Sequence, residues 1–488
     1  MDVVIVGAGF GGLASAALLA NLGYSVTVLE KNNEVGGRSR VFRDKGYTFD
    51  MGPSWYLMPE VFENYFKKLG KNIDDYYQLK LLDPSFRIYY SETAINVSKT
   101  GEKRKRIFDN LENDGYEKFQ NYLKVTGEIY AKTMGELLYK QYKGFFSMLS
   151  PFLLKMAINT QFFQSMSKFN SKFFDSEELR ALTGFSSVFL GGTPESIPAV
   201  YSMVNYSIFQ QGVFYPEGGF GKMVDGIMKL CLEVGVKFKT GFEVKRSETD
   251  RKRMTKVFSD DKEISGDIFL FNSDYVNADS KVIGDSYSNY GKKYWERANI
   301  APSAILAYCG IKGDIPLEHH NIFIGKSAKS HYDSLEASET IPEDFSFYAS
   351  LRSKSDSEIS PSGNSNLFIL IPVSQNFNDS PQIRERYVIS ALNRISHVTG
   401  LNIAGSIDFM RIYGKGDFIN DYNAFKGTAF GLSQTIRQTA GFRPLMRNRY
   451  LENVFYAGQY THPGIGVPMV FIAAEIVSSM IQKSFPLK

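Results

Sequence analysis

An α/β fold is what the sequence predicts: a parallel sheet with helices and a small antiparallel crossover, interleaved with a second, α+β unit that carries a helical part. Three observations carry that expectation. The apolar run VVIV at residues 3–6 leads straight into GAGFGG and then into an alanine-rich helix. Strand-like and helix-like segments alternate thereafter, the order that builds βαβ units. The stretch FYAGQYTHPGIGVPMVFIAAE, residues 455–475, starts as another buried strand and ends as another helix.

The first crossing places Gly7, Gly9 and Gly12 in the spacing G-x-G-x-x-G. The first glycine permits a tight turn, the second lets a pyrophosphate reach the backbone, and the third lets helix and strand pack closely. The helix LASAALLANLGY presents unsatisfied N–H groups and the positive end of its dipole to an anion. A second strand, SVTVLE, ends on Glu30, placed to accept hydrogen bonds from ribose hydroxyls and to disfavour a 2′-phosphate. Motif, flanking elements and acid together predict a bound dinucleotide.

The next segments narrow the choice. KNNEVGGRSRVF supplies Gly36, Gly37 and Arg38, and GYTFDMGPSW supplies Asp50, Gly52 and Pro53. A plain nicotinamide-binding unit has no need of this second glycine pair with its arginine. The arrangement resembles the flavoprotein branch that includes amine oxidases, protoporphyrinogen oxidase, Rab escort proteins and carotenoid desaturases. The resemblance implies FAD, with the Gly-Gly-Arg turn packed beside pyrophosphate and flavin and Arg38 as a fixed cation there.

Further on, residues from Asp109 to Phe174 read as helical. Gly144 to Phe174 mixes Phe145, Phe146, Met148, Leu149, Phe152 and Leu153 with lysines and no acid, as an interfacial helix among lipid headgroups would. The YPEGGF turn, Tyr215 to Phe220, precedes a helix, and strands follow up to Asn272, Ser273 and Asp274. Val244 is expected to cover the adenine, and Asn272 and Ser273 to close the site. The expected division is 1–95, 213–290 and 448–488 for the nucleotide-binding unit, and 96–212 with 291–447 for the substrate-binding unit. Residues 125–180 would be its helical, membrane-contacting region.

Bulk properties set limits. A chain of 488 residues is long enough for two or three domains. A net charge of +4 is too small an excess to argue for nucleic acid, so no nucleic-acid partner is expected. Two cysteines, Cys231 and Cys309, form no disulfide framework and read as small core residues in a reducing compartment. The five histidines lack metal-ligand spacing, so no metal is expected, and the adjacent His319 and His320 read as a solvated polar loop. A strand pattern from Asp2 leaves no room for a signal peptide, and no apolar run reaches the ~18 residues of a spanning helix. The expected location is cytoplasmic, peripherally associated with the inner face of the cell membrane. Aromatic residues make up 14%, which implies either a large core or an apolar cavity.

In motif order the whole chain resembles the bacterial-type phytoene desaturase family of carotenoid enzymes. The most specific segment is Thr461-His462-Pro463-Gly464 with Gly466 and Pro468, set against the family's T-H-P-G-x-G-x-P. Gln459-Tyr460 and Ile465 are larger than the family's usual residues there. The Pro468-Met469 pair resembles members acting late in the pathway, so a 1-hydroxy-carotenoid 3,4-desaturase fits at least as well as a phytoene desaturase. The resemblance implies a set of FAD contacts: Gly7, Gly9, Phe10, Gly11, Gly12, Glu30, Lys31, Gly37, Arg38, Gly52, Pro53, Ser54, Val244, Asn272, Ser273, Gly458, Gln459, Gly466, Val467, Pro468 and Met469. It implies removal of two hydrogens from a long polyene, with oxygen or a quinone reoxidising the flavin. No catalytic acid or base is identified, since GFFSMLSP offers only Ser147 and Ser150 where some relatives carry an acid. The rival readings are a carotenoid isomerase or oxidase, an amine oxidase, and a flavin-free, Rab-escort-like prenyl-binding protein. The oligomeric state is left open.

Overall fold

The computed structural model describes residues 1–90, 93–98, 101–142, 164–326 and 328–487. Two sheets organise them. The first has five strands in the order Val454–Tyr456, Ile268–Phe271, Asp2–Val6, Ser25–Leu29, Lys237–Lys239. Every neighbouring pair is parallel. Its strands come from the start, middle and end of the chain, so the chain leaves this unit and returns to it.

Such a sheet is covered on both faces, which is why its strands read as unbroken apolar runs. Val3 and Ile5 point into a core shared with the helices Phe10–Asn21, Phe220–Glu233 and Val467–Ser484. Val4 and Val6 point the opposite way, into a core shared with Met254, Val257, Tyr275 and Trp295. That second face carries the antiparallel crossover, a three-stranded sheet of Arg246–Asp250, Arg253–Ser259 and Lys262–Ser265.

The second sheet has seven strands: Ile407–Tyr413, Ser303–Lys312, Asn364–Val373, Phe347–Leu351, His320–Ile324, Phe86–Tyr90 and Thr93–Val97, in that order. All pairs are antiparallel except His320–Ile324 with Phe86–Tyr90. Alternation sets its two faces. Ile305, Ala307 and Cys309 pack under the helix Pro381–Thr399 through Val388, Ala391, Leu392 and Ile395. Ala304 and Leu306 face a cavity on the other side.

Four expectations need correction or placement. Phe86–Tyr90 and Thr93–Val97 fall inside the segment 1–95 assigned to the nucleotide-binding unit, yet they pair into the seven-stranded sheet. The first crossing therefore precedes residue 86. Within 125–180, Phe169 and Phe174 are buried with Tyr122 of the helix Gly115–Glu136 and with Leu179, a core rather than a surface. Phe145, Phe146, Met148, Leu149, Phe152 and Leu153, with Ser147 and Ser150, lie outside the described residues. Finally, His319 and His320 are not solvated: both are buried, and His320 opens a central strand. Two polar residues in sequence look like a loop, but here each finds a partner, Ser355 Oγ for His319 and Tyr348 Oη for His320. Both cysteines are buried and unpaired. Among the described residues no helix is long and apolar enough to cross a membrane.

Candidate active site

One cavity of about 470 Å³ runs between the two units. At one end its wall is backbone. Gly7 adopts φ +101°, and a Cβ there would lie 3.0 Å from the Ser273 nitrogen. A Cβ on Gly12 would lie 2.0 Å from the Gly7 carbonyl oxygen, so Gly12 is what lets the helix sit on the strand. The Gly36–Gly37 turn packs directly against this loop: Gly36 N–H donates to Ala8 O at 2.8 Å, and a Cβ on Gly37 would lie 3.1 Å from Gly9 Cα. Asn272 fills the space that side chains at two other positions would need. Its Oδ1 lies 2.5 Å from a Cβ on Gly11 and 3.1 Å from one on Gly458, and so joins the N-terminal loop to the C-terminal one.

Two helix N-termini open into the same end. Phe10–Asn21 starts after Gly9 and Val467–Ser484 after Gly466, and neither has a side-chain cap. Phe10, Gly11, Val467 and Pro468 all line the cavity, so uncapped N–H groups and two positive dipole ends meet there. The Arg38 guanidinium lines it too. Its Nε and Nη2 are buried without a hydrogen-bond partner among the described residues, and its plane lies 5.1 Å from the Tyr422 ring centre. A buried cation with free donors is costly unless something negative occupies the site. Gly52 approaches Arg38 so closely that a Cβ would lie 2.5 Å from the Arg38 carbonyl oxygen. Pro53 and Ser54 continue along the wall.

Glu30 is buried, and its carboxylate organises the loop as well as facing the cavity. Oε2 accepts from Ala8 N–H at 2.8 Å, and Oε1 accepts from Asn32 N–H and Nδ2 at 2.9 and 3.0 Å. Lys31 lines the cavity but already serves the protein: Nζ donates to Asn423 Oδ1 at 2.8 Å and sits 3.3 Å from Glu243. Val244 lines the cavity near Glu30, whose carbonyl accepts from Phe242 N–H at 2.8 Å. Gln459, Gly466 and Met469 complete the C-terminal wall.

The structure thus brings every sequence-derived site residue except Gly12 to the cavity wall, and Gly12 sits one turn behind it. His462 is different. It is absent from the wall: its Nε2–H donates to Leu138 O at 2.9 Å, its ring packs on Tyr142, and burial pulls its pKa down to about 4. It pins the loop from behind. Sequence reasoning missed Arg443, which is buried and donates to the carbonyls of Tyr460 and Thr461 at 3.1 Å each, Gln459 at 2.5 Å and Leu432 at 3.1 Å. Its Nη1 reaches Gln434 Oε1 at 2.6 Å, and burial pulls the guanidinium down to about 10. A lone arginine in GFRPL carries no signal of this. Also missed was Asp274, whose buried carboxylate accepts from Tyr460 OH at 2.9 Å and which burial holds above the usual carboxylate range. Tyr460, a departure from the family's pattern, is explained by that bond. Among the described residues no cluster of His, Cys, Asp or Glu is placed to hold a metal.

The other end of the cavity is apolar. Leu306, Ile322, Ile324, Phe347, Leu370 and Pro372 supply it from the seven-stranded sheet, facing Phe185, Val188 and Phe189. A glycine cradle, two free helix N-termini and an unpartnered buried arginine fit a pyrophosphate joined to a flat, anion-forming ring; the apolar end fits a hydrocarbon.

Comparison with known proteins agrees. The family described as flavin containing amine oxidoreductase matches residues 10–481. A carotenoid 3,4-desaturase of Haloarcula japonica is 35% identical over 477 residues, 97% of this chain and 96% of its own length. A zeta-carotene-forming phytoene desaturase of Myxococcus xanthus is 31% identical over 490 residues, 98% of this chain and 93% of its own. Cyclohexylamine oxidase from Brevibacterium oxydans superposes with a TM-score of 0.60 at 15% identity, over 99% of both chains, and so shares the fold. The chain belongs to the flavin containing amine oxidoreductase family and, within it, to the carotenoid desaturases. It is an FAD-dependent oxidoreductase, and the flavin-free alternative falls.

Proposed function

We propose that this enzyme introduces a double bond into a long carotenoid, and that its preferred substrate is a late-pathway, 1-hydroxylated polyene desaturated at the 3,4 position. The observation that carries the reading is the single cavity that joins the glycine loops to the apolar face of the seven-stranded sheet. The 3,4-desaturase of Haloarcula japonica supports the choice of bond. FAD, when bound, supplies a two-electron acceptor for a hydrogen that leaves carbon with its bonding pair.

The chain's own residues do the rest. Gly7, Gly9 and the N–H groups after Gly9 take the pyrophosphate, and Glu30 orients the ribose. Arg38 and the N-terminus of the helix starting at Val467 would hold the ring end of the cofactor and would place positive charge beside it. Apolar side chains from the sheet hold the polyene in register against the ring and keep water out, so that orientation rather than strong polar binding lowers the barrier.

Expression in cells supplied with phytoene, lycopene and their 1-hydroxy derivatives tests the proposal. A product with a lengthened chromophore from the 1-hydroxy compounds is expected. Conversion of phytoene alone would overturn the late-pathway assignment, and conversion of none would overturn the desaturase assignment.

We infer in addition that the enzyme works at a membrane surface, because its substrate dissolves there and because Gly144 to Phe174 combines phenylalanines with lysines and no acid. Liposome flotation should show binding that weakens when Phe145, Phe146 and Phe152 are replaced by serine. Flotation unchanged by those replacements would remove the inference.

A further inference from the structure

On the desaturase reading above, one of the two hydrogens leaves as a proton, and the protein must receive it. Most titratable groups on the cavity wall are already committed. Glu30 accepts from Ala8 and Asn32. Asp274 accepts from Tyr460, Asn277 and Phe425. Both nitrogens of His331 are engaged, Nδ1 by Ser346 N–H and Nε2 by Pro372 O, each at 3.0 Å. The Tyr201 hydroxyl pairs with Thr439 Oγ1 at 2.5 Å.

Tyr348 differs. It lines the cavity with Ser54 and Trp55, which directly follow the Gly52–Pro53 turn against Arg38. Its hydroxyl lies 2.6 Å from His320 Nδ1. The Trp55 ring stacks on His320, centroids 4.8 Å apart and planes 19° apart. His320 Nε2 is buried without a hydrogen-bond partner among the described residues, an expense that packing alone does not explain.

We propose that Tyr348 takes the proton from the substrate carbon and that His320 is the positioning residue that makes it able to. The carbon–hydrogen bond breaks towards Tyr348 Oη, and its electron pair becomes the π bond of the new alkene. In the same step the phenol's own proton crosses to His320 Nδ1. The hydrogen on the neighbouring carbon leaves with its bonding pair to FAD. Two hydrogens leave the polyene, one held as a proton on imidazole and one carried with two electrons on the cofactor. Burial disfavours the imidazolium and pulls His320 well below its ordinary range, so the ring is neutral at rest with the Nδ1 lone pair available, and it holds the proton only transiently. The indole face of Trp55 eases the imidazolium while it lasts. A tyrosine alone is a poor base, and a histidine alone does not line the wall; only the pair supplies both reach and acceptor.

The test uses the full chain loaded with FAD and a 1-hydroxy-carotenoid that the wild type converts. Tyr348→Phe should keep its FAD, keep its affinity for the polyene as read from the visible spectrum of the bound pigment, and lose kcat by about 10²–10⁴-fold with little change in KM. His320→Asn, whose amide can accept a hydrogen bond but not a proton, should lose turnover as His320→Leu does while keeping FAD and pigment. A second readout is the reverse half-reaction: in D2O, wild type holding reduced FAD and the desaturated product should re-form pigment carrying deuterium at the reacting carbon, and Tyr348→Phe should not. Turnover of Tyr348→Phe within about twofold of wild type, with deuterium incorporation intact, would overturn the assignment while leaving the desaturase reading standing. Parallel loss of FAD, pigment binding and activity in all three variants would show a structural role only and would also overturn it. A wild type that converts no carotenoid removes the desaturase reading, and this proposal with it.

Discussion

The two ends of the cavity are built by opposite means. The cofactor end is made of backbone brought close: Gly7, Gly12, Gly37 and Gly52 come so near to Asn272, to Gly7, to Gly9 or to Arg38 that a methyl group would collide or crowd. The substrate end is made of side chains on alternate positions of strands that are far apart in sequence. Backbone proximity tolerates no substitution, whereas an apolar wall tolerates many provided that volume and polarity are kept. The enzyme should therefore be brittle at one end and plastic at the other.

The largest expected effect breaks that contrast if it fails. Gly12→Val adds three carbons, the first of which would already lie 2.0 Å from the Gly7 carbonyl oxygen. The helix must move off the strand, and soluble, FAD-loaded protein should be lost altogether. Leu306→Ala, at a buried position on the sheet face, should cost about 2–5 kcal/mol of stability while leaving FAD in place. Thermal unfolding and the flavin spectrum of the two variants, side by side, give the comparison. A Gly12→Val protein that keeps its flavin would refute it.

Next in size is Arg38→Met. The side chain keeps its volume but loses the donors that are buried and unpartnered among the described residues. One charge-assisted hydrogen bond is worth about 1.5–3 kcal/mol, so the FAD dissociation constant should rise about 10–100-fold. The circular dichroism spectrum should not change. Unaltered affinity would mean that those donors face no phosphate or flavin oxygen.

The same contrast explains what the sequence discloses. Close backbone approach or a positive φ demands glycine at fixed spacings, and so Gly7, Gly12, Gly37, Gly52, Gly458 and Gly466 were readable in one chain. The parallel sheet was readable because burial on both faces writes unbroken apolar runs such as VVIV and IFLF. The substrate end was not. Leu306, Ile322 and Leu370 share a wall only because their strands pair in the order they do, and nothing local distinguishes them from their neighbours Ile305 and Ile371, which face the opposite core. Arg443 and His320 stayed hidden for a related reason. Each is a polar residue whose burial depends on partners far along the chain, Gln459 to Thr461 for the first and Trp55 for the second.

A smaller effect sharpens the comparison from the plastic end. Leu370→Trp should shorten the apolar channel without touching the cofactor. Overpacking costs about 1–3 kcal/mol when the wall cannot give. Here the cavity has room, so the cost should fall on the polyene: KM for long carotenoids should rise about tenfold, the equivalent of ~1.4 kcal/mol, with FAD content unchanged. Loss of FAD from this variant would mean that the two ends are not independent.

The smallest effect asks whether the ends share one acid limit. His462 behind the cofactor loop and His331 beside the substrate sheet are both buried, and burial pulls each down to about 4 from the usual 6.5. In the unfolded chain both titrate near 6.5. Above that value neither state binds a proton, and the histidines cost nothing. Between 6.5 and 4 the unfolded chain is protonated while the folded protein is not, so stability falls as pH falls. From pH 6.5 to 5.5 the loss should be about 1 kcal/mol for each histidine. His462→Gln, which can still donate to Leu138 O, should remove one such share from the slope, measured by urea unfolding across this range. The remaining slope should then belong mainly to the substrate end. If His462→Gln leaves the slope untouched, His462 is reached by solvent at acid pH, and the cofactor loop opens before the protein unfolds.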